Sequence, residues 1–236
     1  MRGTIPLWES CSPVETRTDV CRHPVCHHRS VKARPLFDDR RDGGRALARV
    51  LADEALDDAV VVGLARGGVV VAAEVAHALG LPLDVVAVRK VGHPWQPEYA
   101  LGAVAPGGGV YVRDQGGLTD EELAAQVERA EARAAELDRM LHAGREPIPL
   151  AGRTCLLVDD GLATGATMIA AVRWARSRGS ARVVAAVPVG AAQSTATLRE
   201  EADAVVCPHE LFDLGAVGFW YRSFGQVGDL EVAALL

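Results

Sequence analysis

Residues 156–167, LLVDDGLATGAT, place two adjacent carboxylates, Asp159 and Asp160, between an apolar run and a loop with almost no side-chain bulk. Gly161, Ala163, Thr164, Gly165, Ala166 and Thr167 leave the backbone N–H groups open to an anion. A helix starting near Met168 would aim its positive N-terminal end at the same point. The Thr164 and Thr167 hydroxyls add donors, so the loop is suited to cradle a phosphate. Two carboxylates beside it would repel that phosphate unless they faced something else, such as sugar hydroxyls or a metal ion. A phosphorylated ribose offers both halves. The plainer alternative is an ordinary strand-to-helix turn in which Asp and Thr cap the helix.

Two better-known phosphate loops are excluded by missing residues. No Lys follows Gly165, so GxxxxGK[ST] fails, and GxGxxG spacing is absent. A second candidate lies earlier, where Ala65-Arg66-Gly67-Gly68 follows one apolar run and Arg89-Lys90 follows another. The glycines let a backbone approach a crowded anion, while Arg makes a forked contact and Lys a point contact. Lys90 is one of only two lysines, the other being Lys32. Taken alone, Gly67-Gly68 is equally a tight turn with a solvent-facing Arg.

These groups need a scaffold that brings strand ends together. The runs 59–64, 83–88, 154–158, 182–188 and 203–207 are short and largely apolar, the pattern of parallel strands buried on both faces. Between them, 43–57, 69–79, 119–143, 168–178 and 192–201 predict helices, and Thr119 with Glu122 forms a capping box. The Gly/Pro-rich stretch 92–109 predicts a functional loop, a lid over the site, or a hairpin. The fold class is α/β: a doubly wound, mostly parallel sheet with helices on both faces. Ligands of such sheets sit beyond the carboxyl ends of the strands, where Arg66, Lys90, Asp159 and Asp160 all fall.

The order of apolar residues, two acidic residues and a Gly/Thr-rich loop resembles the signature of the type I phosphoribosyltransferases. Ala65-Arg66-Gly67-Gly68 resembles their pyrophosphate loop in place and composition. LFDDRRDGGRALA at 36–48, RKVGHPWQPEYALGAV at 89–104 and FWYRSFGQVGDLEVAALL at 219–236 are similar to a less characterised phosphoribosyltransferase-like subfamily. The resemblance implies a type I fold with a variable hood. Asp159 and Asp160 would be the catalytic pair, holding the ribose 2- and 3-hydroxyls of phosphoribosyl pyrophosphate (PRPP). Ala163, Thr164, Gly165, Ala166 and Thr167 would hold its 5-phosphate, and Arg66, Gly67, Gly68 and Lys90 its pyrophosphate. A non-proline cis peptide would fall at or next to Arg66. Magnesium would bridge pyrophosphate and ribose oxygens, with no dedicated protein metal site. The implied reaction transfers ribose 5-phosphate to a small, nucleobase-like acceptor and releases pyrophosphate, in a chain that forms a homodimer.

Four further residues could touch the lid or the base. Glu98 and Tyr99 lie in the 92–109 segment, and an exposed solvated carboxylate is the plain alternative for Glu98. Trp220 and Tyr221 lie where the hood would cover a flat base, yet aromatics near a chain end also anchor it to the core.

The rest of the sequence bounds the possibilities. At 236 residues, 49% hydrophobic and 24% charged, residues 35–236 predict one globular domain. A net charge of −6 with no basic stripe speaks against nucleic acid as a partner. No apolar run is long enough to span a bilayer and no signal-peptide stretch opens the chain, so the expected location is the cytoplasm with no membrane partner. Residues 1–34 carry Cys11, Cys21, Cys26, His23, His27 and His28 at spacings that match no zinc motif, and predict a disordered extension. Cys155 and Cys207 lie in apolar runs as buried reduced thiols. Two other classes stay open: a PRPP-binding sensor without transferase activity, and a magnesium-dependent hydrolase with the first Asp as nucleophile.

Overall fold

The computed structural model describes residues 34–236, except for the side chains of Pro97 and Glu98. The N-terminal extension and its Cys/His cluster lie outside the described residues. In chain order the helices are α1 (Arg40–Leu51), α2 (Gly67–Leu79), α3 (Asp120–Leu141), α4 (Ala166–Ser177), α5 (Ala192–Leu198) and α6 (Asp229–Leu235). The strands are β1 (Ala59–Leu64), β2 (Leu83–Val86), β3 (Arg89–His93), β4 (Gln96–Val104) and β5 (Val110–Val112), then β6 (Thr154–Val158), β7 (Arg182–Ala186), β8 (Val189–Ala191), β9 (Ala204–Val206) and β10 (His209–Leu211).

The central sheet is parallel throughout, in the order β2-β1-β6-β7-β9. All six residues of β1 are buried, because adjacent side chains point to opposite faces and both faces are covered. Val61, Leu156 and Val184 pack under α1 and α2. Val60, Leu157 and Ala185 face the apolar side of α4. This is the doubly wound architecture expected.

Three differences have physical causes. Helix α1 runs from Arg40 to Leu51 rather than over 43–57, because the Asp39 carboxylate accepts from the Asp42 amide and caps it three residues earlier. A Cβ on Gly44 would stand 2.8 Å from the Val71 carbonyl oxygen, so the glycine admits the close approach of α2. The 92–109 segment takes the hairpin alternative: β3, β4 and β5 form an antiparallel sheet. Leu101 and Ala103 are fully buried there, which makes the segment a packed layer rather than an open loop. Finally, α6 docks Val232 into a cluster with Val85, Leu137 and Leu141. Helix α3 opens on the expected Thr119–Glu122 capping box. Cys155 and Cys207 are free thiols, both pushed up to about 12, chiefly by burial.

The connection from α3 to β6 is pinned to β2 by a buried acid. The Asp84 carboxylate accepts from the backbone of Val85 (2.9 Å) and Ile148 (2.8 Å), pairs with His142 Nε2 (3.0 Å) and receives the Arg145 guanidinium. Burial alone would raise its pKa, but the His142 and backbone hydrogen bonds and the Arg145 charge outweigh it and lower it. Hydrogen bonds to Asp138 and then to Asp84 raise His142 from 6.5 to about 10. A raised histidine contributes stability that is complete below its unfolded pKa and is lost as pH climbs through the folded one. Stability is therefore expected to fall from about pH 6.5 toward 10, and His142→Gln to flatten that fall in urea-unfolding midpoints. An unchanged slope in the variant would exclude this role.

Candidate functional site

Sheet order decides where the site is. β1 continues outward to β2, whereas β6 continues the opposite way to β7, so the crevice between adjacent β1 and β6 is a topological switch point. Gly63 lies opposite Val158 in the register, so the residues that follow emerge side by side. Those residues are Ala65-Arg66-Gly67-Gly68 on one strand and Asp159-Asp160 on the other. β2 runs parallel on the far side of β1 and delivers Arg89 and Lys90 to the same end.

The two motifs touch. A Cβ on Gly67 would fall 2.1 Å from Asp160 Oδ2, and one on Gly68 would fall 2.7 Å from Asp159 Oδ1. Any side chain at either position would drive the loop away from the acidic pair. The Ala65–Arg66 peptide is cis.

The carboxylates are held differently. Asp159 Oδ1 accepts from the Asp160 amide at 2.8 Å. Burial first, and the Asp160 charge second, raise the Asp159 pKa well above the ordinary carboxylate value, against smaller opposing effects of Arg40 and Lys90. Asp160 is also raised by burial but is paired with Arg40 Nε at 2.7 Å. Asp159 is thus a half-buried carboxyl short of a side-chain partner, a group that sugar hydroxyls or a cation would complete.

The 5-phosphate candidates form the entry to α4. Gly165 has φ +80° and no side chain caps the helix, which excludes the plain alternative of an Asp- or Thr-capped turn. The first N–H groups of α4 therefore lack a capping acceptor at an open rim, where Ala163 and Thr164 are exposed. Ser194 Oγ donates to the Ala163 carbonyl at 2.5 Å and braces the loop from behind.

Other candidates take structural partners. Arg66 forms a two-point pair with Asp229 of α6, Nε to Oδ1 at 2.5 Å and Nη2 to Oδ2 at 3.2 Å. Lys90 is exposed. Tyr99 donates its hydroxyl to Asp114, and Glu98 has its backbone in β4 while its side chain lies outside the described part. Tyr221 is buried and donates to the Asp160 carbonyl at 2.6 Å, and Trp220 Nε1 donates to the Leu214 carbonyl at 2.8 Å. Both aromatics thus do the anchoring work that was the alternative to contacting a base.

Sequence reasoning missed Arg40 and Asp229. Arg40 pairs with Asp160, donates to the Gly225 carbonyl at 2.7 Å and lies over the Phe224 ring at 3.7 Å. Its only sequence signal is membership of the 36–48 segment, because its partner is 120 positions away.

Similarity to known proteins agrees with this geometry. Residues 40–222 match the family model described as the phosphoribosyl transferase domain. A protein of Mycobacterium tuberculosis strain H37Rv, provisionally named a phosphoribosyl transferase, is 46% identical over 207 residues, covering 85% of this chain and 46% of the relative. The chain thus spans about half the length of that relative. An adenine phosphoribosyltransferase of the same strain is 35% identical over 171 residues, covering 72% of this chain and 65% of that protein. Among solved structures, TT1426 from Thermus thermophilus superposes with a TM-score of 0.73 at 42% identity, covering 84% of this chain and 96% of that one. With the family match spanning both strand ends of the crevice, the chain belongs to the phosphoribosyl transferase domain family.

Proposed function

We propose that the chain is a phosphoribosyltransferase: it binds PRPP with magnesium, transfers ribose 5-phosphate to a nucleobase-like acceptor and releases pyrophosphate. The observation that carries this reading is the direct contact of Gly67-Gly68 with Asp159-Asp160 at the switch point, beside an uncapped helix start. A ligand that suits all three has a 5-phosphate at 163–167, sugar hydroxyls at the carboxylates and a diphosphate at Arg66 and Lys90.

The chemistry follows from charge. As the bond from the anomeric carbon to pyrophosphate breaks, its electron pair leaves with pyrophosphate and positive charge grows on the ring. The acceptor's lone pair then forms the new bond to that carbon. Asp159 and Asp160 would fix the ribose and favour the cationic ring, and Lys90 and Arg66 would receive the leaving group, Arg66 exchanging Asp229 for pyrophosphate. No group of three or more His, Cys, Asp or Glu among the described residues could hold a metal ion. The available carboxylates, Asp159 and the unpaired side of Asp160, fit an oxygen-loving ion that draws most of its ligands from substrate and water. When bound, magnesium would neutralise charge on the diphosphate.

A cytoplasmic homodimer belongs to the same proposal; among the described residues no helix is long and apolar enough to cross a membrane. The test is calorimetric titration of PRPP with and without magnesium, followed by pyrophosphate release across purine, pyrimidine and nicotinate-like acceptors. Magnesium-dependent binding with release on one acceptor class is the expected result. Binding without release on any acceptor would support the sensor instead, and absence of binding would reject both.

A further inference from the structure

A cavity of about 660 Å³ lies beyond Arg66, between β3 and α3, separate from the 163–167 cradle. That volume is within the range of about 300–1,000 Å³ typical of small-molecule sites. Five cationic side chains line it, Arg66, Arg89, Lys90, Arg129 and Arg133, against only two acids, Glu136 and Asp229. Asp229 is already engaged by Arg66.

The remaining cations are poorly compensated. Arg89 Nε is buried with no hydrogen-bond partner among the described residues. Arg129 and Arg133 stand four residues apart on α3, where like charges repel. Their helix is fixed by the burial of Ala130, Ala134 and Leu137, so neither can turn away with it. In a chain of net charge −6, this concentration of positive charge calls for an anionic ligand. Arg66 and Lys90, the diphosphate candidates, line the same cavity as Arg129 and Arg133, so a ligand longer than a diphosphate would have cations of both groups to engage.

We propose that this cavity is a polyphosphate subsite continuous with the Gly67-Gly68 loop, taking three or more linked phosphoryl groups and excluding PRPP through the shared Arg66 and Lys90. The linked phosphates are the recognised chemistry, whether free or carried by a nucleoside. The exclusion of PRPP rests on the proposed function; recognition by α3 does not.

Titration of the full chain with pyrophosphate, inorganic tripolyphosphate and a nucleoside triphosphate tests this. Tripolyphosphate should bind at least about 10-fold tighter than pyrophosphate, a difference of about 1.4 kcal/mol. R129A/R133A should lose that advantage with pyrophosphate affinity unchanged, and R129K/R133K should keep part of it. Both arginines are exposed, so unaltered melting would certify the fold of each variant. A nucleoside triphosphate equal to tripolyphosphate would assign recognition to the phosphates alone, and a tighter one would add the nucleoside. Equal wild-type affinity for the two inorganic ligands, or an advantage that survives R129A/R133A, would overturn the proposal. If PRPP fails to bind while the α3-dependent advantage persists, the transferase reading falls and the subsite stands.

Discussion

Replacing Asp159 and Asp160 together by Asn is expected to weaken PRPP binding at least about 100-fold while the protein stays folded. Each carboxylate would accept hydrogen bonds from ribose hydroxyls, and bonds to a charged group contribute roughly 1.5–3 kcal/mol each, so losing two reaches that factor. Stability should move differently from binding. Asp159 is half-buried beside a second carboxylate, and its pKa is raised well above 3.8. A carboxyl raised in this way favours the folded state below its unfolded pKa and loses that contribution as pH rises through the folded value, so its charge penalises the fold at neutral pH. Asn keeps the shape and still accepts from the Asp160 amide. The single variant Asp159→Asn should therefore melt roughly 2–4 °C higher, for about 1 kcal/mol in a domain of this size. Calorimetric titration and thermal melting measure the two effects. Wild-type PRPP affinity in a folded double variant would sink the assignment of the pair to the ribose.

Arg40→Ala is expected to cost about 1–3 kcal/mol, because it removes one partner of a part-buried ion pair and so falls short of the roughly 3–5 kcal/mol of a fully buried one. Asp160 would be left inside the crevice without its guanidinium. The same side chain holds the Gly225 carbonyl and covers Phe224, so the segment leading to α6 would loosen as well. Arg40→Lys should recover little, because an ammonium cannot make two directed contacts and lie flat on a ring. Urea unfolding gives the number directly. A loss below about 1 kcal/mol would mean the pair is idle.

The sequence by itself determined the parts whose physics is local. Burial on both faces requires continuous apolar runs, so β1 and β6 were legible residue for residue, and β2, β7 and β9 to within a few residues. The Thr119–Glu122 cap is satisfied within one helical turn and needed no tertiary knowledge. The small-residue loop before α4 was legible for the same reason, since a turn into a helix start is a property of neighbouring residues. Tertiary structure decided whatever depends on parts of the chain far apart in sequence. The helix over Gly43 and Gly44 was legible, but its start at Arg40 and the reason for two missing side chains were not, because only the approach of α2 shows why Gly44 lacks one. The lengths of β3, β4 and β5 depended on neighbours that no periodicity announces. Arg40 finds Asp160 across 120 residues and Asp229 finds Arg66 across 163, in both cases because parallel packing brings the chain ends to the carboxyl edge of the sheet. Types and spacing along the chain supplied two small-residue loops and a carboxylate pair. The register of β1 against β6 placed the glycines of one loop directly against the carboxylates of the other motif.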